Sequence, residues 1–186
     1  PSSVLELGAG TGKRFMQVVH YYEENKLPLP RWSIVEPSEG MRSKIPEYVK
    51  EKIDTIYTEK DLSRFADNEY DLTFSSGLLC SIQTREAAHI VKECYRIAKH
   101  FTMQTDTPKD RPHLNKLDFF KYFNVEGVQI VHWDTLTPYP YPGEEEHRII
   151  VKKTGSLNFA DDFPLLAERV ENDETWQEVL EKRFQA

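Results

Sequence analysis

The chain has 186 residues, 39% hydrophobic and 30% charged, which is the composition of one folded domain and not of a disordered segment. It contains no run of about 18 uncharged apolar residues, so no segment has the form of a membrane-crossing helix. The net charge of −7 is uneven: residues 154–186 hold eight acids and three bases, net −5, leaving −2 on the first 153 residues and no broad basic face for nucleic acid.

Charged residues fall within six positions of the start, which leaves no secretory signal pattern. Cys80 and Cys94 have no metal-type spacing, and nothing in their positions favours a disulfide. The expected compartment is therefore a reducing cytoplasm. The chain opens at Pro1, without a methionine and directly before a strand, and is expected to lack an upstream segment.

In chain order, Ser3–Leu7 is a short apolar strand, and Gly8–Gly12 is a glycine-rich turn. A helix follows over Lys13–Lys26, with Phe15, Val18, Val19 and Tyr22 on one face. Trp32–Val35 is the second strand. Ser38 caps a helix towards Lys52 that Pro46 kinks or restarts. Ile53–Thr58 is the third strand, and Tyr70–Phe74, entered through Asp67-Asn68, is the fourth. Thr84 caps the next helix, where Glu86 favours the dipole and Ile90, Val91, Cys94 and Ile97 form the apolar stripe. Phe101–Thr105 is the fifth strand. A short helix is expected from Asn115 to Phe123, a sixth strand over Gly127–Trp133, and a seventh over His147–Lys152 in a hairpin with the sixth. The alternation of strands and helices predicts an α/β fold with helices on both faces of a mostly parallel sheet. Residues 154–186 read as an acidic amphipathic tail, with Leu165, Leu166, Val170, Trp176, Val179 and Leu180 apolar, packing on the domain at 1–153 or on a partner.

Glu6-Leu7-Gly8-Ala9-Gly10-Thr11-Gly12 joins the first strand to the first helix. Its glycines allow a tight turn and close approach of a ligand, and the helix amides behind them favour an anionic group such as a carboxylate. The dinucleotide fingerprint fails, because Lys13 stands where its third glycine belongs; the phosphate loop fails, because Gly12-Lys13 leads to Arg14. Glu36 ends the second strand, 24 residues after Gly12, where a carboxylate can accept from two vicinal ribose hydroxyls; Pro37 supplies a stiff apolar wall.

Val4–Gly12, Ile34–Met41 and Tyr70–Ile82 together resemble the class I S-adenosylmethionine-dependent methyltransferases of the small-molecule type, over about residues 3–153. The resemblance implies a Rossmann-like seven-stranded sheet of order 3-2-1-4-5-7-6 with strand seven antiparallel, and S-adenosylmethionine as cofactor. It implies that Glu6, Gly8, Ala9, Gly10 and Gly12 border the methionine part, that Glu36 holds the ribose, and that Pro37, Ser38 and Met41 flank the adenosine. Asp61 and Leu62 look like the loop over adenine, and Ser76 and Gly77 like the strand end beside the transferred methyl.

The acceptor end departs from the family habit. Cys80-Ser81 stands where many relatives have a His pair, and Ala98-Lys99-His100-Phe101 where most have a Gly-Gly turn. Cys80 has two readings, a substrate contact or a small buried residue. Asp106 orients the acceptor, serves as its base, or caps the Thr107-Pro108 turn. His113 is the first candidate base, against a solvated loop histidine. Tyr139 and Tyr141 either wall the acceptor or pack their own loop. His132 and Asp134 read as packing and capping residues, and His20, His89, His100 and His147 as structural. The expected activity is methyl transfer to an oxygen or nitrogen of a small molecule, with no metal and no membrane partner. The alternative is a non-catalytic domain of the same fold that binds cofactor or a protein.

Overall fold

A computed structural model describes residues 1–82, 84–106, 129–136 and 146–153. Strand β1 (Ser3–Leu7) is buried along its whole length, as a strand must be when both sheet faces are covered. Alternation sends Val4 to one face and Leu5 and Leu7 to the other. The Val4 face carries helix α1 (Lys13–Glu24), whose Phe15 and Val19 are fully buried. Phe15 packs on Trp32 of β2 (Arg31–Val35) with ring centroids 5.1 Å apart. Pro46 ends one helix and starts another: the predicted 38–52 helix is α2 (Glu39–Arg42), capped by Ser38, and α3 (Glu47–Lys50), which begins directly after the proline.

After β3 (Thr55–Tyr57) and β4 (Tyr70–Ser76), a single 3₁₀ turn at Leu79–Ser81 leads to α4 (Thr84–Ile97). This helix covers the Leu5 face, burying Val91, Cys94 and Ile97. Burial pushes the Cys94 thiol up to about 12; it is a free, inert core residue. The chain passes from α4 straight into β5 (Ala98–Asp106), and β6 (Gln129–Leu136) and β7 (Glu146–Lys152) complete the sheet.

The order is β3-β2-β1-β4-β5-β7-β6. β7 runs antiparallel to both neighbours, and the other pairs are parallel. The predicted topology and the β6–β7 antiparallel pairing are therefore present. The strand order reverses between β1 and β4, which opens a crevice at their carboxyl ends. One further element fixes its wall. Arg96, in the last turn of α4, donates to the carbonyls of Phe65 (2.7 Å) and Leu62 (3.0 Å) and pairs with Glu93 and Asp67. It ties the 62–67 segment to the helix. The expected helix at 115–123 and the tail at 154–186 lie outside the described residues, as do His113, Tyr139 and Tyr141.

Candidate functional site

The crevice begins at the turn after β1. Gly8, Gly10 and Gly12 all have positive φ, at 68°, 58° and 73°, a conformation that glycine alone adopts without strain. A Cβ on Gly8 would stand 2.8 Å from Leu78 Cδ1, whereas one on Gly10 would meet nothing within 4 Å. The first glycine thus permits close packing, and the second keeps backbone bare beside open space. Gly12 leads into α1 with no side chain capping its first turn, a position whose amides favour an anionic group.

Glu36 joins this turn to the next. Its Oε2 accepts from the Gly10 amide at 2.7 Å and its Oε1 from the Ser38 amide at 2.9 Å. Each carboxylate oxygen retains acceptor capacity, since the group has about four lone-pair sites. Arg42 donates to the Glu36 carbonyl at 2.7 Å and holds the strand end in place. Glu6, one turn of pleat below, is 1% exposed and faces inward, where Trp32 Nε1 donates to its Oε2 at 3.0 Å. Burial, only partly offset by the indole and by Arg14, pushes its carboxyl up to about 7. On the β4 side, Arg14 Nε donates to Ser76 Oγ at 3.0 Å, and the Gly77 amide donates to the Thr105 carbonyl at 2.9 Å.

A cavity of about 450 Å³ follows, within the range of small-molecule sites. Gly8, Glu36, Pro37, Ser38 and Leu62 line it, as the sequence predicts; Leu78, Ile82 and Ile90 add apolar wall, and Lys60, Glu86 and His89 are its further polar groups. Sequence reasoning misses these last three. The helical pattern reads Glu86 as a dipole partner and His89 as structural, and Lys60 carries no signal. Lys60 Nζ and Glu86 Oε1 are 3.6 Å apart.

Of the expected cofactor residues, Glu6, Ala9, Gly10, Gly12, Met41, Asp61, Ser76 and Gly77 are not part of this lining. Asp61 is turned back on its own loop: the Ser63 amide donates to Asp61 Oδ1 at 2.9 Å, and Ser63 holds its carboxyl below the usual range. That bond occupies one carboxylate oxygen and leaves the other with acceptor capacity. Met41, on α2, is 43% exposed. Ala9 is buried under the glycine turn. The Cys80 backbone lies in the 3₁₀ turn after β4, and Asp106 ends β5 at the same carboxyl edge. Among the described residues no helix is long and apolar enough to cross a membrane.

A family profile described as a methyltransferase domain matches residues 5–100. No curated protein matches the sequence. Solved structures share the fold at low identity. The magnesium protoporphyrin IX methyltransferase of Synechocystis PCC 6803, crystallised with bound SAM, is 14% identical with a TM-score of 0.62, over 82% of this chain and 70% of that one. The [4+2]-cyclase SpnF is 11% identical with a TM-score of 0.61, over 81% and 74%. A chain from the structure titled "Complex between the Haloferax volcanii Trm112 methyltransferase activator and the putative methyltransferase" is 13% identical with a TM-score of 0.60, over 84% of each chain.

Proposed function

The chain belongs to the class I methyltransferase-domain family, and from that premise we propose that it moves a methyl group from S-adenosylmethionine to an oxygen or nitrogen atom of a small molecule. The observation that carries the reading is Glu36, which clasps the glycine turn through Gly10 and stands at the wall of a cavity of about 450 Å³. The residues fit the cofactor in three ways. Bare backbone at Gly10 has open space beside it, the first turn of α1 is free of a side-chain cap, and Glu36 keeps lone pairs for ribose hydroxyls. In this reading Gly8, Gly10, Gly12 and α1 receive the amino-acid end, Glu36 the ribose, and Pro37, Ser38 and Leu62 the adenosine wall.

When bound, S-adenosylmethionine supplies a methyl group already activated on a sulfonium. The protein's own task is alignment and exclusion of water, and orientation of this kind is worth up to ~7–11 kcal/mol. A base matters only for a protonated acceptor, where it adds ~10²–10⁴-fold. Asp106, at the β5 end, and His113 are the two candidates, with Cys80, Tyr139 and Tyr141 as acceptor contacts.

Calorimetry with S-adenosylhomocysteine tests the cofactor site: micromolar binding is expected, and preferential binding of NADH would overturn the reading. Radiolabelled methyl transfer into a metabolite extract tests the activity. Label in a small molecule is expected; a chain that binds cofactor but labels nothing would be a binding domain of this fold. For the base, His113→Ala is expected to lower turnover with cofactor affinity unchanged, and unchanged turnover would remove His113 from the account.

A further inference from the structure

We propose that the acidic tail at 154–186 docks in cis on the sheet face opposite α4, with Trp176 seated in a second cavity over β4, β5 and β7. The two faces of β7 differ in cover. Ile149 and Val151, opposite Gln104 and Thr102 on the α4 side, are fully buried, whereas Ile150 between them is only partly buried. Ile150 shares the other face with Met103 of β5, and beside them Leu72 of β4 stands opposite Phe101, which is 37% exposed. The helices on this side are α1 and α3, whose buried Phe15, Val19 and Val49 pack with Val4, Trp32 and Ile34, on β1 and β2. A mostly parallel sheet is stable when both its faces are covered. A right-handed connection from β5 on to β6 runs over the α4 face, so the tail is the segment of this chain placed to cover the other.

A cavity of about 550 Å³ marks the gap, with Leu72, Phe101, Met103 and Ile150 as its apolar lining and Asp71 and His100 as its titratable groups. An indole suits such a mixture, since a buried Trp has a large apolar body and one N–H that needs an acceptor. Asp71 supplies that acceptor. Its Oδ2 accepts from the Ser2 and Ser3 amides at 2.7 and 3.2 Å, while its Oδ1 is 3.9 Å from His100 Nε2 and keeps acceptor capacity. The tail fits by position, length and charge. β7 ends at Lys152, opposite Phe101, and the Lys153 amide donates to the His100 carbonyl at 2.8 Å, so the chain leaves the sheet beside the cavity. Trp176 lies 23 positions beyond Lys153, ample chain to turn back onto the face. Leu166, Val170 and Leu180 accompany it as apolar cover. The tail carries −5, and Arg148 and Lys152 stand on the same face of β7 as Ile150.

Hydrogen exchange of the full chain, read by mass spectrometry on peptides within 163–182, tests the docking. In the parent these amides are expected to exchange about tenfold or more slower than unstructured chain. Phe101→Asp and Ile150→Asp, which put a charge into the apolar cavity, should return them to unstructured rates while peptides of β1 keep the parent's protection. Phe101→Ala makes the same comparison as the milder change where a charged variant does not fold. Lys152→Glu should quicken the tail peptides about threefold at low salt and less at high salt. Urea unfolding gives a second reading: Phe101→Ala and Trp176→Ala are each expected to lower the midpoint, and the double variant no further than the lower single. Tail amides at unstructured rates in the parent overturn the proposal, and so does tail protection that is unchanged in every folded Phe101 and Ile150 variant. Tail protection that grows with protein concentration, alongside a dimer in sedimentation equilibrium, puts a second copy on the face and overturns it as well. None of these outcomes depends on what the crevice at the other end of the sheet binds.

Discussion

Two acids lie on either side of the glycine turn, and their hydrogen-bond partners differ. Glu6, behind the turn, is 1% exposed and receives one indole N–H from Trp32. Glu36, in front of it, is 7% exposed and receives two backbone amides, from Gly10 and Ser38. Similar burial thus leads to different work. A carboxyl with a single neutral donor is desolvated without full repayment, and the Glu6 carboxyl rises to about 7. The acid with two amides instead fixes the shape of two strand-end loops. The contrast is that burial dominates at Glu6, while at Glu36 two backbone donors tie the carboxylate to the loops it shapes.

Removing the front acid should have the largest effect. Glu36→Ala leaves the Gly10 and Ser38 amides without their acceptor and, in the proposed reading, deletes the ribose contact. Affinity for S-adenosylhomocysteine is expected to fall about 100-fold, near 3 kcal/mol, by calorimetry. A fall of less than about threefold would break the contrast. The back acid should be felt in stability instead. Because the folded chain holds a proton on Glu6 that the unfolded chain releases above its ordinary value of 4.5, the stabilisation is full below about pH 4.5 and is lost as pH rises through about 7. Glu6→Gln, which still accepts from Trp32, should flatten that fall by on the order of 2 kcal/mol, read from urea unfolding at pH 4.5, 6 and 8. A pH profile identical to the parent's would show that Glu6 is not the titrating group. The smallest effect sharpens the boundary between the two. Gly10→Ala meets no atom within 4 Å, so its cost to stability is that of positive φ alone, roughly 1–2 kcal/mol. In the proposed reading the new methyl stands beside the cofactor's amino-acid end, so affinity for S-adenosylhomocysteine, read by calorimetry, is expected to fall as well.

The glycine turn and Glu36 are legible in the sequence because both are set by local backbone chemistry at a strand end. β1 covers the predicted residues, and the helix after β2 splits at Pro46 for the reason the ring dictates. Strand ends are less legible where polar residues satisfy one another inside the sheet. The pattern stops β4 at Phe74, but Ser75 donates to Gln104 across the β4–β5 pair, and the strand runs to Ser76. Likewise Lys99 and His100 interrupt the apolar run, yet β5 starts at Ala98, opposite Tyr70, with a register shift before Leu72. Glu86 and His89 are illegible for a different reason. Periodicity locates the buried stripe of α4 at Ile90, Val91, Cys94 and Ile97, but what the opposite edge of its first turns meets depends on a segment more than twenty residues earlier. Asp61 shows the converse, a residue whose sequence context suggests a ligand but which lies outside the lining, with one oxygen accepting from the Ser63 amide.

The Arg96 clasp has a consequence for motion. One guanidinium holds the Leu62 and Phe65 carbonyls at the last turn of the same helix whose first turn carries Glu86. Side wall and end wall of the crevice are thereby parts of one rigid piece. Lifting the 62–67 strap means breaking bonds at the far end of α4, about 20 Å along its axis. Amide exchange in the strap should therefore slow and quicken in step with exchange in the helix, and not with the neighbouring surface loops.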